Sequence, residues 1–246
     1  MKKTLSHISV IIFMVTLSIG IVLNLSNIAT GASISQVRIQ ENKVSVLADN
    51  KKPDDSLRLL KAGNERFQKN KLIHIDLSST KREELVNGQN PIAVIITCSD
   101  SRVPPEFIFN QGLGDLFVVR VAGNVIDDIE LGSVEYAVKH LKTPLIVVMG
   151  HEHCGAVEAA VEGHGEKQPG SIGAIIDKIE PSVKKVKAMN LKGEELVEEV
   201  TNENIYNSSR VIKGSKIIRE ELQKTNIKIV EAKYMLKSGR VEWFSN

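Results

Sequence analysis

Residues 92–102 decide the fold of this chain, and they read IAVIITCSDSR. The apolar run at 92–97 has the length and composition of a strand that is buried on both faces. A second stretch of the same design lies at 145–155 and reads LIVVMGHEHCG. Because parallel strands present their carboxyl ends at one edge of a sheet, we expect the polar residues that follow both runs to meet there.

The pattern around these two stretches predicts an α/β domain. Helical patterns begin at Pro53 and near 81–87, before the first strand. Strands and helices then alternate, which favours a parallel sheet with crossover helices. The predicted strands are 92–97, 116–121 and 145–149, and the helices between and after them are 129–140 and 155–161. Later segments predict helices at 174–189, with a kink or break at Pro181, and at 194–225, followed by an edge strand or hairpin at 227–235 and 241–244.

Length and composition bound the size of the core and the class of partner. A chain of 246 residues with 42% hydrophobic content can bury one sizeable core, which favours one domain with an N-terminal extension. Lys2 and Lys3 account for the formal net charge of +2, since residues 1–32 contain no acidic side chain. The chain has no basic block and no interleaving of aromatic and basic residues, so we expect no nucleic-acid partner.

The first residues have the pattern of a targeting segment. Two lysines are followed by a mostly apolar run at 8–25, and Thr30 and Ala32 offer small residues for cleavage after position 32. We therefore predict that residues 1–32 are a signal peptide and that the protein is periplasmic or extracellular. The alternative is an uncleaved anchor facing outside, because about eighteen apolar residues approach the lower limit for a span. A cytoplasmic location is the least favoured interpretation.

A polar stretch follows the predicted signal peptide and separates it from the rest of the chain. Residues 33–52 are polar and weakly patterned, which predicts a linker. The predicted catalytic domain is 53–246. Membrane contact is expected only through an N-terminal segment that remains uncleaved.

Cys98, His151 and Cys154 are the strongest chemical signal. Cys98 and Cys154 are the two cysteines of the sequence, and each follows one of the buried runs. Two thiolates and one imidazole form a zinc ligand set, and three protein ligands leave a fourth position for water. In an oxidising compartment two cysteines are by default read as a disulfide. A disulfide gives no reason for a histidine three residues before Cys154, so a metal site is the favoured hypothesis.

Asp100 and Arg102 lie in the predicted loop that leaves the first strand. Next to a metal ligand, Asp100 can orient the metal-bound water by accepting its proton in a hydrogen bond. It can instead occupy the fourth position and close the site, or Arg102 can hold it away through a bidentate contact. The sequence leaves these three roles open.

These motifs resemble one known family. Cys98-x-Asp100-x-Arg102, together with His151-x-x-Cys154, is similar to the β-class carbonic anhydrases. The stretches 117–120 (FVVR) and 122–124 (AGN) are similar to the second strand and following loop of that family, and 239–242 to its closing hairpin. The resemblance covers residues 53–244.

The resemblance implies a fold, a cofactor and an assembly. The fold is a mixed central sheet of four parallel strands plus an antiparallel edge strand, flanked by helices and preceded by an N-terminal helical arm. Cys98, His151 and Cys154 would hold one Zn²⁺ per subunit, and Asp100 with Arg102 would form the catalytic dyad. The family's active sites form where two subunits meet, which implies a homodimer or a dimer of dimers.

The implied reaction is reversible hydration of CO2 to bicarbonate and a proton by a zinc-bound hydroxide. His153, His164 or buffer could carry the proton away. Hydrolysis of CS2 or COS on the same scaffold is a second enzyme hypothesis, and a closed, non-catalytic metal site is a third. A thiol redox protein is disfavoured because the sequence contains no Cys-x-x-Cys. Some family members have a glutamine near the turn before the second strand that helps to bind substrate. Gln111 is close to that position, but its spacing from Phe117 differs by about one residue, so it receives no role.

Overall fold

The structure is a computed structural model, and it describes residues 52–163, 170–224 and 226–244. The predicted signal segment, all of the predicted linker except Lys52, and His164 lie outside the described residues. The described residues belong to one compact unit, Asn50–Asn246.

A five-stranded mixed sheet forms the centre of this unit. Its strands are β1 (Ala93–Thr97), β2 (Leu116–Arg120), β3 (Leu145–His151), β4 (Lys228–Tyr234) and β5 (Val241–Trp243). They lie in the order β2-β1-β3-β4-β5. The first four are mutually parallel, and β5 pairs antiparallel with β4. The predicted mixed sheet with an antiparallel edge strand is confirmed.

Helices precede the sheet and cover it. Within the described residues they are α1 (Pro53–Gln68), α2 (Ser79–Glu84), α3 (Pro105–Ile108), α4 (Asp128–Leu141), α5 (Gly155–Glu162), α6 (Ile172–Lys187), α7 (Gly193–Gly214) and α8 (Lys216–Gln223). A 3₁₀ turn at Ala122–Asn124 follows β2. A capping box fixes the start of α4, because Asp127 and Glu130 each bond the backbone N–H groups at that end.

The core explains why the two runs are apolar throughout. Every residue of β1 and of β3 is buried, since helices cover both faces of the central strands. On one face Ile96 and Val148 belong to a cluster that includes Ile205 and Ile212 of α7. A polar side chain introduced into either strand would therefore be buried and could not reach solvent.

Two predicted boundaries differ from the structure. The predicted helix at 194–225 is two helices, because Ser215 has extended backbone (φ −61°, ψ 137°) and its Oγ accepts the N–H of Ile218. Pro181 does not end its helix, and α6 continues over it. Among the described residues, no helix combines the length and apolar character that a membrane span requires.

The register of the sheet sets the position of the chemical residues. Thr97 at the end of β1 pairs with Met149 of β3 and with Arg120 of β2. β3 extends two residues beyond its predicted end because Gly150 and His151 pair with β4. Cys98 therefore leaves the sheet directly beside the last residues of β3.

Candidate metal centre

Three buried side chains converge at the carboxyl edge of the sheet. Cys98 follows β1, His151 is the last residue of β3, and Cys154 is the N-cap of α5. Their candidate ligand atoms all lie within 4.8 Å of one another. The two sulfurs are 4.0 Å apart and both cysteines are free thiols, so the disulfide alternative does not describe this structure.

The imidazole of His151 has one nitrogen available for a ligand. Nδ1 lies 2.8 Å from the carbonyl oxygen of Glu152, and a carbonyl can only accept, so Nδ1 carries the proton. The lone pair of the neutral ring is therefore on Nε2. That atom is buried and has no hydrogen-bond partner. A buried polar atom without a partner is costly, and a metal ion beside the two sulfurs would satisfy it.

The sulfur of Cys98 is surrounded by donors. The backbone N–H groups of Gly123 and Asp100 point at it from 3.3 and 3.4 Å. The hydrogen bond with Cys154, supported by these N–H groups and by His151, lowers the pKa of the Cys98 thiol to about 4. The same contact with Cys98, together with burial, raises the pKa of Cys154. Without a metal the pair therefore holds one proton at neutral pH, which a divalent cation would displace.

Burial and charge act in opposite directions on His151. Burial alone lowers the pKa of its imidazole, but the neighbouring Cys98 sulfur raises that pKa overall. The donor set of two sulfurs and one free imidazole nitrogen thus fits a divalent metal of zinc type.

Asp100 and Arg102 form a bidentate pair at the rim of this cluster. Nε and Nη2 of Arg102 donate to the two carboxylate oxygens at 2.9 and 2.7 Å. The hydrogen bond from the guanidinium is the main reason that the pKa of Asp100 falls to about 2. Nη2 also donates to the carbonyl of His153 at 3.1 Å. Asp100 Oδ2 is 3.9 Å from Nε2 of His151, so the carboxylate faces the cluster but does not bond the ring.

Arg120 has a role that the sequence did not reveal. Its Nε donates to the carbonyl of Cys98 at 3.0 Å, and its Nη2 donates to the carbonyl of Asp100 at 2.6 Å. The pairing of Arg120 with Thr97 places it beside the loop, where it can reach both oxygens. Arg120 was part of the family-like stretch at 117–120, but its acceptors are backbone atoms, which leave no trace in a sequence.

Other candidates lie outside the cluster. His153 is exposed, and its Nδ1 is 4.0 Å from Oε1 of Glu158. Gln111, which received no role, is buried and donates to the carbonyl of Phe109 within its own loop.

Comparison with known proteins agrees with this geometry. A family model described as carbonic anhydrase matches residues 93–241. Carbonic anhydrase 2 of Mycobacterium tuberculosis is 41% identical over 194 residues, which cover 78% of this chain and 92% of that protein. Carbonic anhydrase of Mycolicibacterium smegmatis is 40% identical over 196 residues, covering 78% and 94%. The chain belongs to the carbonic anhydrase family.

Solved structures assign it to the β class. The β-carbonic anhydrase CcaA superposes with a TM-score of 0.63 at 30% identity, covering 68% of this chain and 85% of that one. A tetrameric β-carbonic anhydrase from Sordaria macrospora superposes with a TM-score of 0.61 at 26% identity, covering 67% and 86%. The resemblance seen in the motifs is confirmed. The chain is thus an enzyme of the carbonic anhydrase family, in which CO2 hydration is the implied activity, and it carries a Cys-His-Cys cluster able to hold a metal.

Proposed function

We propose that this chain is a zinc-dependent carbonic anhydrase that reversibly hydrates CO2 to bicarbonate and a proton outside the cytoplasm. The observation that carries the proposal is the buried, unpartnered Nε2 of His151 beside two free sulfurs. Cys98, His151 and Cys154 would hold one Zn²⁺ per chain. Zinc in such a set lowers the pKa of coordinated water to about 7, which supplies hydroxide at neutral pH.

The proposed role of Asp100 is to orient the attacking water. Its pKa of about 2 keeps the carboxylate ionised at neutral pH, so it can only accept a hydrogen bond. Arg102 engages both of its oxygens, which favours the interpretation that Arg102 holds Asp100 away from the fourth metal position. The additional bond from Arg102 to the carbonyl of His153 ties this carboxylate to the turn that carries His151 and Cys154.

Release of the proton completes the proposed cycle. The ring of His153 is 55% exposed and lies one residue from Cys154, so either this ring or buffer can take the proton from the site.

Export and assembly are further parts of the proposal. The lysine pair, apolar run and small residues within 1–32 support cleavage and export. The Sordaria macrospora relative is described as tetrameric, which supports a dimer or a dimer of dimers here. Exposed apolar side chains near α2 supply surface that a subunit contact would cover, namely Leu72, Leu77 and Val86.

Stopped-flow CO2 hydration with metal analysis tests the activity. We expect about one zinc per purified chain and fast proton release that stops when a chelator removes the metal. Full activity in a metal-free preparation would overturn the proposal. Cell fractionation with N-terminal sequencing tests export separately. A mature chain beginning at Ser33 is expected, and a chain retained intact in the cytoplasm would contradict export.

A further inference from the structure

The 3₁₀ turn after β2 adopts an uncommon backbone. Gly123 has φ +68° and Asn124 has φ +45°, so two successive residues are left-handed. Asparagine adopts left-handed backbone more readily than most other non-glycine residues, but two left-handed residues in succession are uncommon and need surrounding contacts to hold them. A side chain at position 123 would also collide with Ile179, whose Cδ1 would lie 2.8 Å from an added Cβ.

Two side chains of α7 enforce this turn. Nδ2 of Asn204 donates to the carbonyl of Gly123 at 2.7 Å, and Oγ of Ser208 donates to the carbonyl of Asn124 at 2.8 Å. Positions four apart lie on one face of a helix, so both side chains reach the turn together. Asn204 is 1% exposed and Ser208 is 2% exposed, so water cannot replace either bond easily.

The turn leads directly to the candidate metal centre. The N–H of Gly123 donates to the sulfur of Cys98 at 3.3 Å. The direction of this N–H depends on the left-handed backbone of the turn, which the two α7 side chains hold. A continuous set of hydrogen bonds therefore joins the middle of α7 to a candidate ligand atom.

We propose that Asn204 and Ser208 are positioning residues that hold the Gly123 N–H on the Cys98 sulfur and so set the strength of that sulfur as a metal ligand. The proposal rests on the proposed metal site. An N–H directed at a thiolate withdraws electron density from sulfur and restricts its position. If the turn relaxes, the sulfur becomes more electron-rich and less well ordered for binding.

The test is the replacement Asn204→Asp in the full chain. This change conserves shape but removes the donated proton and places an oxygen against the Gly123 carbonyl. We expect zinc affinity, measured by competition with a chromophoric chelator, to fall about tenfold or more, as is typical when a group that supports a ligand is lost. In the cobalt(II)-substituted protein, the sulfur-to-metal charge-transfer band should move to lower energy.

Asn207→Ala is the matched control. Asn207 is on the same helix and donates to the carbonyl of Lys178 at 3.4 Å, away from the turn. We expect this variant to retain wild-type affinity within about twofold and an unmoved band, because it leaves the Gly123 N–H in place. Wild-type affinity and an unmoved band in Asn204→Asp would overturn the inference, and so would an equal loss of affinity in the control.

Ser208→Ala decides the question if Asn204→Asp does not fold. Loss of this single bond should weaken zinc binding about threefold or more and shift the band in the same direction. Wild-type values in Ser208→Ala would then overturn the inference. A wild-type protein without a sulfur-to-cobalt charge-transfer band would refute both the metal site and this inference. Variants with the zinc affinity and band position of the wild type would refute this inference alone.

Discussion

Replacing Arg120 by methionine removes two hydrogen bonds that hold the loop between Cys98 and Asp100. Methionine retains a long apolar stem but has no donor. The bonds lost are those to the carbonyls of Cys98 (3.0 Å) and Asp100 (2.6 Å). The three candidate metal ligands and the pair of Asp100 with Arg102 keep their own side chains. The expected defect is therefore one of loop position rather than of metal binding.

The size of the effect follows from the type of bond. A hydrogen bond to a charged group contributes ~1.5–3 kcal/mol net when it is shielded from water. The bond to Asp100 is solvent-exposed, so its contribution is discounted, and the pair together is expected to contribute ~2–3 kcal/mol. Since 1.36 kcal/mol corresponds to a factor of ten, loss of this energy from the reactive arrangement lowers kcat/KM ~30–160-fold.

Stopped-flow CO2 hydration measures this loss, and atomic absorption measures the zinc content. We expect zinc to remain at about one per chain in the methionine variant. Arg120→Lys is the control, because an ammonium retains the charge but lacks the fork that reaches both carbonyls, so an intermediate loss is expected. If Arg120→Met with full zinc content showed kcat/KM within about twofold of the wild type, loop bracing by Arg120 would be refuted.

Four further outcomes are expected. Cys98→Ser should lose both zinc and CO2 hydration in metal analysis and stopped-flow assays, and a metal-loaded, active variant would contradict the ligand assignment. Asp100→Ala should retain zinc but lose most activity, and full activity would remove Asp100 from the mechanism. The folded pKa of Asp100 is depressed, so its stabilising contribution is complete above the ordinary value of 3.8 and is lost as pH falls through about 2. Urea unfolding of the metal-free protein across this range should show that loss, whereas Asp100→Asn should lack it, and parallel pH curves would contradict the shift. Gly150→Ala places a Cβ 2.7 Å from Ile205 within the core, so its free energy of unfolding should fall by ~1–3 kcal/mol in urea titrations, and an unchanged midpoint would contradict the packing.

The chemistry of the centre could be predicted because its residues have distinctive types and positions. Cys98 and Cys154 are the two cysteines of the chain, and each follows an apolar run that can only be a buried segment. Parallel strands bring their carboxyl ends together whatever the detailed register, so the convergence with His151 was expected before any geometry was known. The bidentate pair of Asp100 and Arg102 is local, with only one residue between them, and was one of three arrangements that the sequence left open.

The ends of helices were less predictable. The break at Ser215 lies within a continuous helical pattern, and the serine hydroxyl caps the next helix through a bond that extended backbone allows. Serine is common both inside and before helices, so its type alone does not decide between the two. Pro181 shows the opposite case, since α6 continues over a residue that normally interrupts a helix.

The sequence by itself determined the alternation of strands and helices, the apolar centre of the sheet and the side chains able to bind a metal, because each of these depends on residue type and local spacing. Only the tertiary structure decided how those side chains are held. Arg120, Asn204 and Ser208 act on backbone carbonyls at positions distant in sequence. Every residue offers a carbonyl, so no pattern of residue types marks the chosen acceptor, and only the folded register brings donor and acceptor together.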